Sequence, residues 1–239
     1  MGKNMEARTL PQSGQSNQQQ AAVSQRHLLP VFPLALCTSS SNLRQDAEHF
    51  IYSRFDKYYG ASINHFLPYI LSAYNGNKVT AALGFQPATY STPLFLEHYL
   101  DLPIESILSI LAQADVERHS IVEIGNLASG RQRATQTLFL LLAELVHQSQ
   151  FEWVVFTANT AVRGWLKKLN IETFSIQVAD PSKLPNKGVN WGTYYDDKPV
   201  IVAANVRHTL MKLNANPFMT YLHQSYGKQL NEFSQELRK

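Results

Sequence analysis

Apolar residues recur along the chain with helix spacing in some segments and strand spacing in others, which predicts an α/β protein. Residues 43–58 have the three- and four-residue apolar steps of a helix, and Gly60 is placed to end it. Residues 67–74 and 79–86 have the composition of strands, and the intervening Asn75-Gly76-Asn77 is a strong hairpin signal. A helix followed by a β-hairpin is therefore expected.

The second half of the chain predicts repeated strand–helix pairs. Asp101, Pro103 and Glu105 supply the cap, the early proline and the early acid of a helix that starts at Ile104. The elements expected after it are a strand from 121, a helix over 136–146, a strand over 152–157, a helix over 160–169, and strands over 174–178 and 200–204. This order predicts an α/β fold with a mixed, mostly antiparallel sheet flanked by helices.

The two ends of the chain differ from its middle. Residues 1 to about 27 are rich in Gln, Ser and Asn and contain no aromatic residue, so they cannot bury enough apolar surface to offset their ordering entropy. We expect residues 1–42 to be a disordered or extended arm, 43–206 to form the main domain, and 207–239 to form an amphipathic helical tail. The tail's apolar stripe would dock on its own domain or on a second copy in a homodimer, and peripheral membrane contact is the alternative.

Charge and hydropathy exclude two classes of protein. A formal net charge of +3, from 21 basic and 18 acidic residues, is too small to indicate nucleic-acid binding. The sequence contains no run of eighteen apolar residues, which excludes a spanning helix. These features favour a cytoplasmic protein.

A single cysteine, Cys37, excludes an internal disulfide and a cysteine-based metal cluster. The segment 28–37 faintly resembles a signal sequence that ends at a lipid-modified cysteine, which would make the protein exported or membrane-associated. Two prolines and the bulky Leu36 argue against that interpretation. An extended segment laid against the domain is the preferred interpretation.

The most informative stretch runs from Ile121 to Val146, where an apolar strand leads through a Gly-Arg-rich turn into a helix. Such a turn aims backbone N–H groups at one point, and the positive end of the helix dipole adds to their attraction for an anion. Arg131 and Arg133 add side-chain charge there, and Gly130 allows a ligand to approach the backbone. The turn is therefore a candidate pyrophosphate site, although the sequence contains neither a Walker A motif nor G-x-G-x-x-G.

Two further kinds of site are not indicated by the sequence. The eight histidines show no H-x-x-x-H pair or other metal spacing, so no metal is expected. The G-x-S-x-G elbow of a Ser-His-Asp hydrolase is also missing.

The order of elements resembles the Gcn5-related N-acetyltransferase superfamily, and ten sequence words resemble the thermostable hemolysin family. These words lie between Phe50 and about Asn205: Arg54-Phe55, Tyr59-Gly-Ala61, Phe66-Leu-Pro68, Ala81-Ala-Leu-Gly-Phe85, Leu94-Phe-Leu-Glu97, Tyr99-Leu-Asp101, Pro103-Ile-Glu105, Ile121-Val-Glu-Ile-Gly-Asn-Leu-Ala128, Phe156-Thr-Ala158 and Trp191-Gly-Thr-Tyr-Tyr195. The arrangement is similar, more distantly, to acyl-homoserine lactone synthases. The family name implies cell lysis, whereas the layout implies a soluble acyltransferase.

The resemblance implies how an acyl donor, acyl-coenzyme A or an acyl-carrier protein, would bind. The backbone of the central strand, at Leu127 and Ala128, would pair with the donor's pantetheine. The following turn would take the pyrophosphate, and Arg131-Gln-Arg-Ala134 loosely matches the superfamily's loop. Asn159 stands where the superfamily often has a polar residue that contacts the donor.

Transfer of an acyl group to an amine needs a base for the amine and benefits from an acid for the departing thiolate. Glu123 lies in an apolar strand, and burial would raise its pKa toward the range that a base needs. The alternative is a rim-facing Glu123 paired with Arg118 or His119. Tyr194 is the candidate acid, and core packing is the alternative role for this aromatic cluster.

Four residues are candidates for contact with the small-molecule acceptor. Glu97 could hold the amine, or it could form a cap or salt bridge for the next segment. Arg54 could face an acceptor carboxylate, or it could be a solvated helix residue. Asn126 could contact substrate or form a turn, and Trp191 could line the site or fill the core.

These features together favour an acyl-coenzyme-A or acyl-carrier-protein dependent N-acyltransferase that acts on a small amine or amino-acid-like acceptor. The alternatives are a membrane-damaging hemolysin without acyltransferase chemistry and a catalytically silent acyl-binding module.

Overall fold

The computed structural model describes residues 32–90, 92–130, 132–214 and 217–238, without the side chains of residues 132, 133 and 217. Residues Phe32–Lys239 form one compact unit. The disorder expected for residues 1 to about 27 concerns a part of the chain that lies outside the described residues.

Within the described part of the chain, seven strands form one sheet in the order β1-β2-β3-β4-β5-β7-β6. The strands are β1 (Leu34–Cys37), β2 (Tyr69–Asn75), β3 (Lys78–Pro87), β4 (Ile121–Ser129), β5 (Trp153–Ala158), β6 (Phe174–Val178) and β7 (Val200–Asn205). The β4–β5 pair is parallel and the other neighbouring pairs are antiparallel. The predicted fold class, a mixed and mostly antiparallel sheet flanked by helices, is confirmed.

The helices follow the predicted order closely. They are α1 (Arg44–Tyr59), α2 (Ile104–Ala112), α3 (Gln132–Gln148), α4 (Thr160–Lys168), α5 (Val206–Leu213) and α6 (Pro217–Leu237). Gly60 ends α1 in the left-handed conformation, at φ 62°, as its position predicted. The stretch 207–239, expected to be an amphipathic helical tail, contains two helices, α5 and α6.

Helices cover both faces of the sheet. Alternate residues of β3 face opposite ways: Leu83 packs in the core beneath α3, α5 and α6, whereas Ala82 packs against α1. A third apolar cluster joins α2 to the opposite end of the sheet. The sheet is therefore the middle layer of three.

The C-terminal helix α6 packs against its own chain. Leu222, Tyr226 and Leu230 are buried in the main core cluster. The Tyr226 hydroxyl accepts a hydrogen bond from the Phe32 N–H at 2.7 Å and donates one to the Phe32 carbonyl oxygen at 3.0 Å. Because β1 begins two residues later, this pair of bonds fixes α6 to the edge of the sheet.

Cys37 is buried in β1, which pairs with β2. Among the described residues, no helix combines the length and the apolar character needed to cross a bilayer.

Replacing Tyr226 with Phe removes both hydrogen bonds to Phe32 and keeps the buried ring. We expect a loss of about 1 kcal/mol in the free energy of unfolding, the usual net contribution of such bonds. The measurement is the urea midpoint at constant slope. An unchanged midpoint would show that these two hydrogen bonds contribute nothing to stability.

Candidate active site

The site begins where β4 and β5 part. These two strands pair in parallel only from Ile121 opposite Trp153 to Ile124 opposite Phe156. Beyond that point β4 runs on to Ser129, while β5 stays paired with β7 as far as Ala158. The β5-facing edge of residues 125–128 therefore has no strand partner among the described residues, and its backbone groups are open to a ligand.

A bulge in β4 helps to shape this opening. Ala82 is paired with Ala128 but Gly84 is paired with Gly125, so β4 carries one extra residue there. Asn126 lies in the bulge with a left-handed φ of 49°. Its side-chain oxygen accepts the Leu67 N–H at 2.9 Å, and its side-chain nitrogen donates to the His65 carbonyl at 3.2 Å. Asn126 thus has a turn-forming role and fixes the loop that follows α1.

The opening leads into a cavity of about 250 Å³, called here the cleft cavity. Its walls come from α1, β4, β5, the 3₁₀ helix Phe95–Tyr99 and the aromatic segment 191–195. Eight residues predicted from the sequence line it: Arg54, Glu123, Asn126, Leu127, Ala128, Asn159, Trp191 and Tyr194. Residues far apart in sequence thus meet in one place.

Glu123 is 4% exposed and anchors the 3₁₀ helix through both carboxylate oxygens. Oε2 accepts the Phe95 N–H at 2.6 Å and Oε1 accepts the Leu96 N–H at 2.9 Å. Burial raises the pKa of Glu123 to about 8, although these two hydrogen bonds oppose the rise. The carboxyl group therefore changes protonation state near neutral pH.

The alternative pairing of Glu123 with Arg118 or His119 is not seen. Arg118 binds Glu97 and Glu105, each at 2.7 Å, and His119 pairs with Glu117.

Glu97 has the cap and salt-bridge arrangement rather than a free carboxylate. Arg118 holds its two oxygens at 2.7 Å each, and the Leu94 N–H donates to it at 3.0 Å. Although burial acts to raise it, these bonds hold the pKa of Glu97 below its usual value. Glu97 is not part of the cleft cavity's lining, so a direct contact with an acceptor there is not supported.

Arg54 lies beside the turn between β4 and α3. A Cβ atom placed on Gly130 would come within 2.7 Å of an Arg54 guanidinium nitrogen, so Gly130 leaves room for that side chain. This position puts the Arg54 charge at the predicted anion site and not at a separate acceptor site.

The expectation for Gly130 itself needs correction. Its N–H donates to the Thr80 carbonyl at 2.9 Å, so that group is not open to an anion. The predicted anion site is therefore left to the N-terminal end of α3, where Ala134 is buried and the helix dipole is positive. Arg131 lies outside the described residues, and so does the side chain of Arg133.

Asn159 and four tyrosines form the far wall. The Asn159 side chain caps α4 by accepting the Val162 N–H at 2.9 Å and donates to the Tyr59 hydroxyl at 3.0 Å. Tyr99 and Tyr195 share a hydrogen bond of 2.6 Å between their hydroxyls.

Tyr194 differs from these neighbours. Its ring packs against Tyr59 and Trp191, with centroids 5.2 and 5.3 Å away, and among the described residues its hydroxyl has no hydrogen-bond partner. Burial raises the pKa of Tyr194, so this hydroxyl keeps its proton at neutral pH. It can therefore donate a hydrogen bond to a group in the cavity.

Three residues of the site, His65, Phe95 and Tyr99, were not predicted from the sequence. All three line the cleft cavity, and His65 and Phe95 also line a second cavity of about 590 Å³. No local pattern marks His65, because it is a single histidine in a loop that Asn126 fixes from 61 residues away.

The chain matches the family model described as thermostable hemolysin over residues 37–210. No curated protein sequence matches it. It is similar in structure to FeeM, an N-acyl amino acid synthase from uncultured soil microbes, with 12% sequence identity and a TM-score of 0.55, over 78% of this chain and 96% of that chain. This similarity confirms the expected Gcn5-related N-acetyltransferase-like fold.

Two acyl-homoserine lactone synthases show weaker similarity. LasI has 10% identity and a TM-score of 0.48, over 74% of this chain and 91% of that chain. The CoA-dependent synthase MesI has 14% identity and a TM-score of 0.46, over 82% and 95%.

The raised pKa of Glu123 gives stability a pH dependence of known sign. Between its ordinary value near 4.5 and about 8, the folded protein holds a proton that the unfolded chain releases. Stability from this group is therefore complete at low pH and is lost as pH rises through about 8. Glu123→Gln removes this titration, so the melting temperature of the wild type relative to the variant should fall between pH 5.5 and 8.5. An unchanged difference over that range would mean that the two backbone bonds hold the carboxylate ionised.

Gly192 is required by the wall of the cleft cavity. Its φ of 52° and ψ of −127° suit glycine alone, and a Cβ atom would lie 1.9 Å from the Tyr59 carbonyl oxygen. Gly192→Ala should cost about 2 kcal/mol or more in the free energy of unfolding and displace the 191–195 wall from α1. The matched control is Gly164→Ala in α4, where a Cβ meets no atom within 4 Å, and it should be neutral or stabilising. Equal denaturant midpoints for the two variants would contradict this role.

Proposed function

The chain belongs to the thermostable hemolysin family, and we propose that it is an N-acyltransferase that uses acyl-coenzyme A or an acyl-carrier protein as donor. The observation that carries the proposal is the opening between β4 and β5, with an unpaired strand edge on one side and a buried carboxyl group on its floor. The fold shared with an N-acyl amino acid synthase supports it. The acceptor is a small amine or amino-acid-like molecule.

The donor would lie along the free edge of β4. Its pantetheine amides would pair with the backbone around Leu127 and Ala128, as an added strand pairs with a sheet edge. Its pyrophosphate would meet the first turn of α3, where the helix dipole and the Arg54 guanidinium attract negative charge. Arg131 and Arg133 remain proposed partners of the same phosphates.

The chemistry needs one base and one acid. The neutral amine attacks the thioester carbon, the C–N bond forms, and the C–S bond breaks. The proton shed by the nitrogen passes to the Glu123 carboxylate, directly or through one water, and the Tyr194 hydroxyl protonates the departing thiolate. Glu123 then releases its proton to solvent and Tyr194 takes one up, which restores both groups. The reaction as proposed uses no metal.

Membrane lysis is the rival that the family name suggests. An amphipathic helix disrupts a bilayer through an exposed apolar face, but α6 buries Leu222, Tyr226 and Leu230 against its own chain. The structure thus offers this rival less support than it offers acyl transfer.

Acyl-coenzyme A should raise the melting temperature of the purified protein, because a ligand that binds only the folded state stabilises it. With an amine present, free thiol should appear together with the N-acyl product.

The rate should rise with pH and level off above about 8, because Glu123 acts as a base only when ionised. Glu123→Gln should lower kcat by about a hundredfold or more, the usual contribution of a general base.

The matched control is Glu117→Gln, which removes an exposed carboxylate that lines neither cavity. It should keep the wild-type rate. Dye release from liposomes, with no thermal shift from any acyl donor, would contradict the enzyme and support a lysin. Normal turnover by Glu123→Gln would overturn the base assignment alone.

A further inference from the structure

The second cavity lies against the cleft cavity, between segments 63–65, 92–98 and 184–191. His65, Phe95 and Trp191 line both cavities, so these three residues mark the junction. We propose that the second cavity admits the acceptor as a cationic amine, which releases one proton to water before the neutral amine attacks, and that it does not require an acceptor carboxylate. This inference rests on the proposed acyl transfer, because it assigns the acceptor of that reaction.

The position of the cavity fits an acceptor site. The amine must meet the donor's thioester beside Glu123, and the Phe95 backbone N–H is bonded to that carboxylate at 2.6 Å. The ring of the same Phe95 lines both cavities and packs 5.6 Å from Trp191. A molecule in the second cavity is therefore separated from the cleft cavity by one aromatic ring, while the donor enters between β4 and β5.

The charges around the cavity favour a cation. Glu97 lines it, and the single positive charge of Arg118 is shared between Glu97 and Glu105, so the three residues carry one net negative charge. No lysine or arginine stands among the cavity's described lining residues. An acceptor carboxylate would therefore meet no cationic partner in this cavity and would be repelled by the cluster.

The aromatic and imidazole groups are consistent with this charge. The faces of Phe95 and Trp191 attract an ammonium group through their ring quadrupoles. Burial, helped by the neighbouring His98, lowers the pKa of His65, so the His65 ring is neutral at pH 7 and does not repel a cation. The other histidine and carboxyl groups among the described residues that line the two cavities are His98, Glu97 and Glu123.

The outer wall of the cavity is held in a strained shape. Asn186, Lys187 and Gly188 are consecutive residues with left-handed backbone angles, at φ 56°, 50° and 70°. The two non-glycine residues pay a conformational cost there, and such strain is commonly found at binding sites. Asn186 and Gly188 line the cavity, so this costly geometry shapes its wall.

The test compares three acceptors that differ in one group: phenethylamine, phenylalaninamide and phenylalanine. Phenethylamine and phenylalaninamide lack the carboxylate and are called here the uncharged-tail acceptors. With a saturating acyl-coenzyme A donor, each should exceed phenylalanine by about tenfold in kcat/KM, as expected for one unfavourable charge contact. The rates are compared per concentration of neutral amine, because the three amines differ in pKa, and the remaining difference should lie in KM. The thiol released by each acceptor is the measurement.

Adding a positive charge to the wall of the second cavity tests whether the acceptor binds there. His98→Lys adds a permanent cation there and should reduce the preference for the two uncharged-tail acceptors by about tenfold. The control His49→Lys makes the same change on an exposed face of α1 that lines neither cavity, and it should leave the preference unchanged. Equal effects of the two variants would place the acceptor elsewhere.

A wild-type preference for phenylalanine would overturn the inference while leaving the enzyme intact. No thiol release with any acceptor, in protein that shows no thermal shift with acyl-coenzyme A, would instead contradict the proposed function.

Discussion

The arrangement of the site depends on the parting of β4 and β5 after four paired residues. Parallel pairing ends at Ile124 and Phe156, and beyond the bulge at Asn126 the remainder of β4 stays paired with β3. Backbone groups that a continuous sheet would have satisfied are thereby left for a ligand. The same Asn126 side chain fixes the loop at His65 and Leu67, so one irregular residue shapes both the opening and the wall opposite it.

Glu123 couples this opening to the rest of the active-site wall. Its carboxyl group is buried, which is costly for a charge, and two backbone N–H groups from the 3₁₀ helix Phe95–Tyr99 partly offset that cost. The helix is held from its other side by the ion pair between Glu97 and Arg118. Glu97 and Glu123 therefore have different environments. Glu97 is firmly ionised and structural, whereas Glu123 titrates near neutral pH.

Local pattern was enough to predict the order of strands and helices from α1 to β7 and the 75–77 turn, because each depends on spacing within about ten residues. It left open whether Glu123 is buried or faces the rim of the sheet. It was not enough to predict which partners the side chains would find. Arg118 reaches Glu97 across 21 residues, and Arg54 reaches the turn at Gly130 from another layer of the fold. These contacts between distant residues cannot be predicted from sequence spacing. The second cavity likewise forms only when three segments far apart in sequence come together.

The family name suggests membrane lysis, whereas the geometry suggests acyl transfer. What binds in the opening between β4 and β5 distinguishes the two. The most direct measurement is a crystal structure with a non-hydrolysable thioether analogue of an acyl-coenzyme A. The account predicts pantetheine density along residues 125–128, pyrophosphate at the first turn of α3, and the acyl carbonyl position close to Glu123. Binding of the analogue elsewhere, or β4 and β5 paired along their full length with no ligand between them, would contradict it.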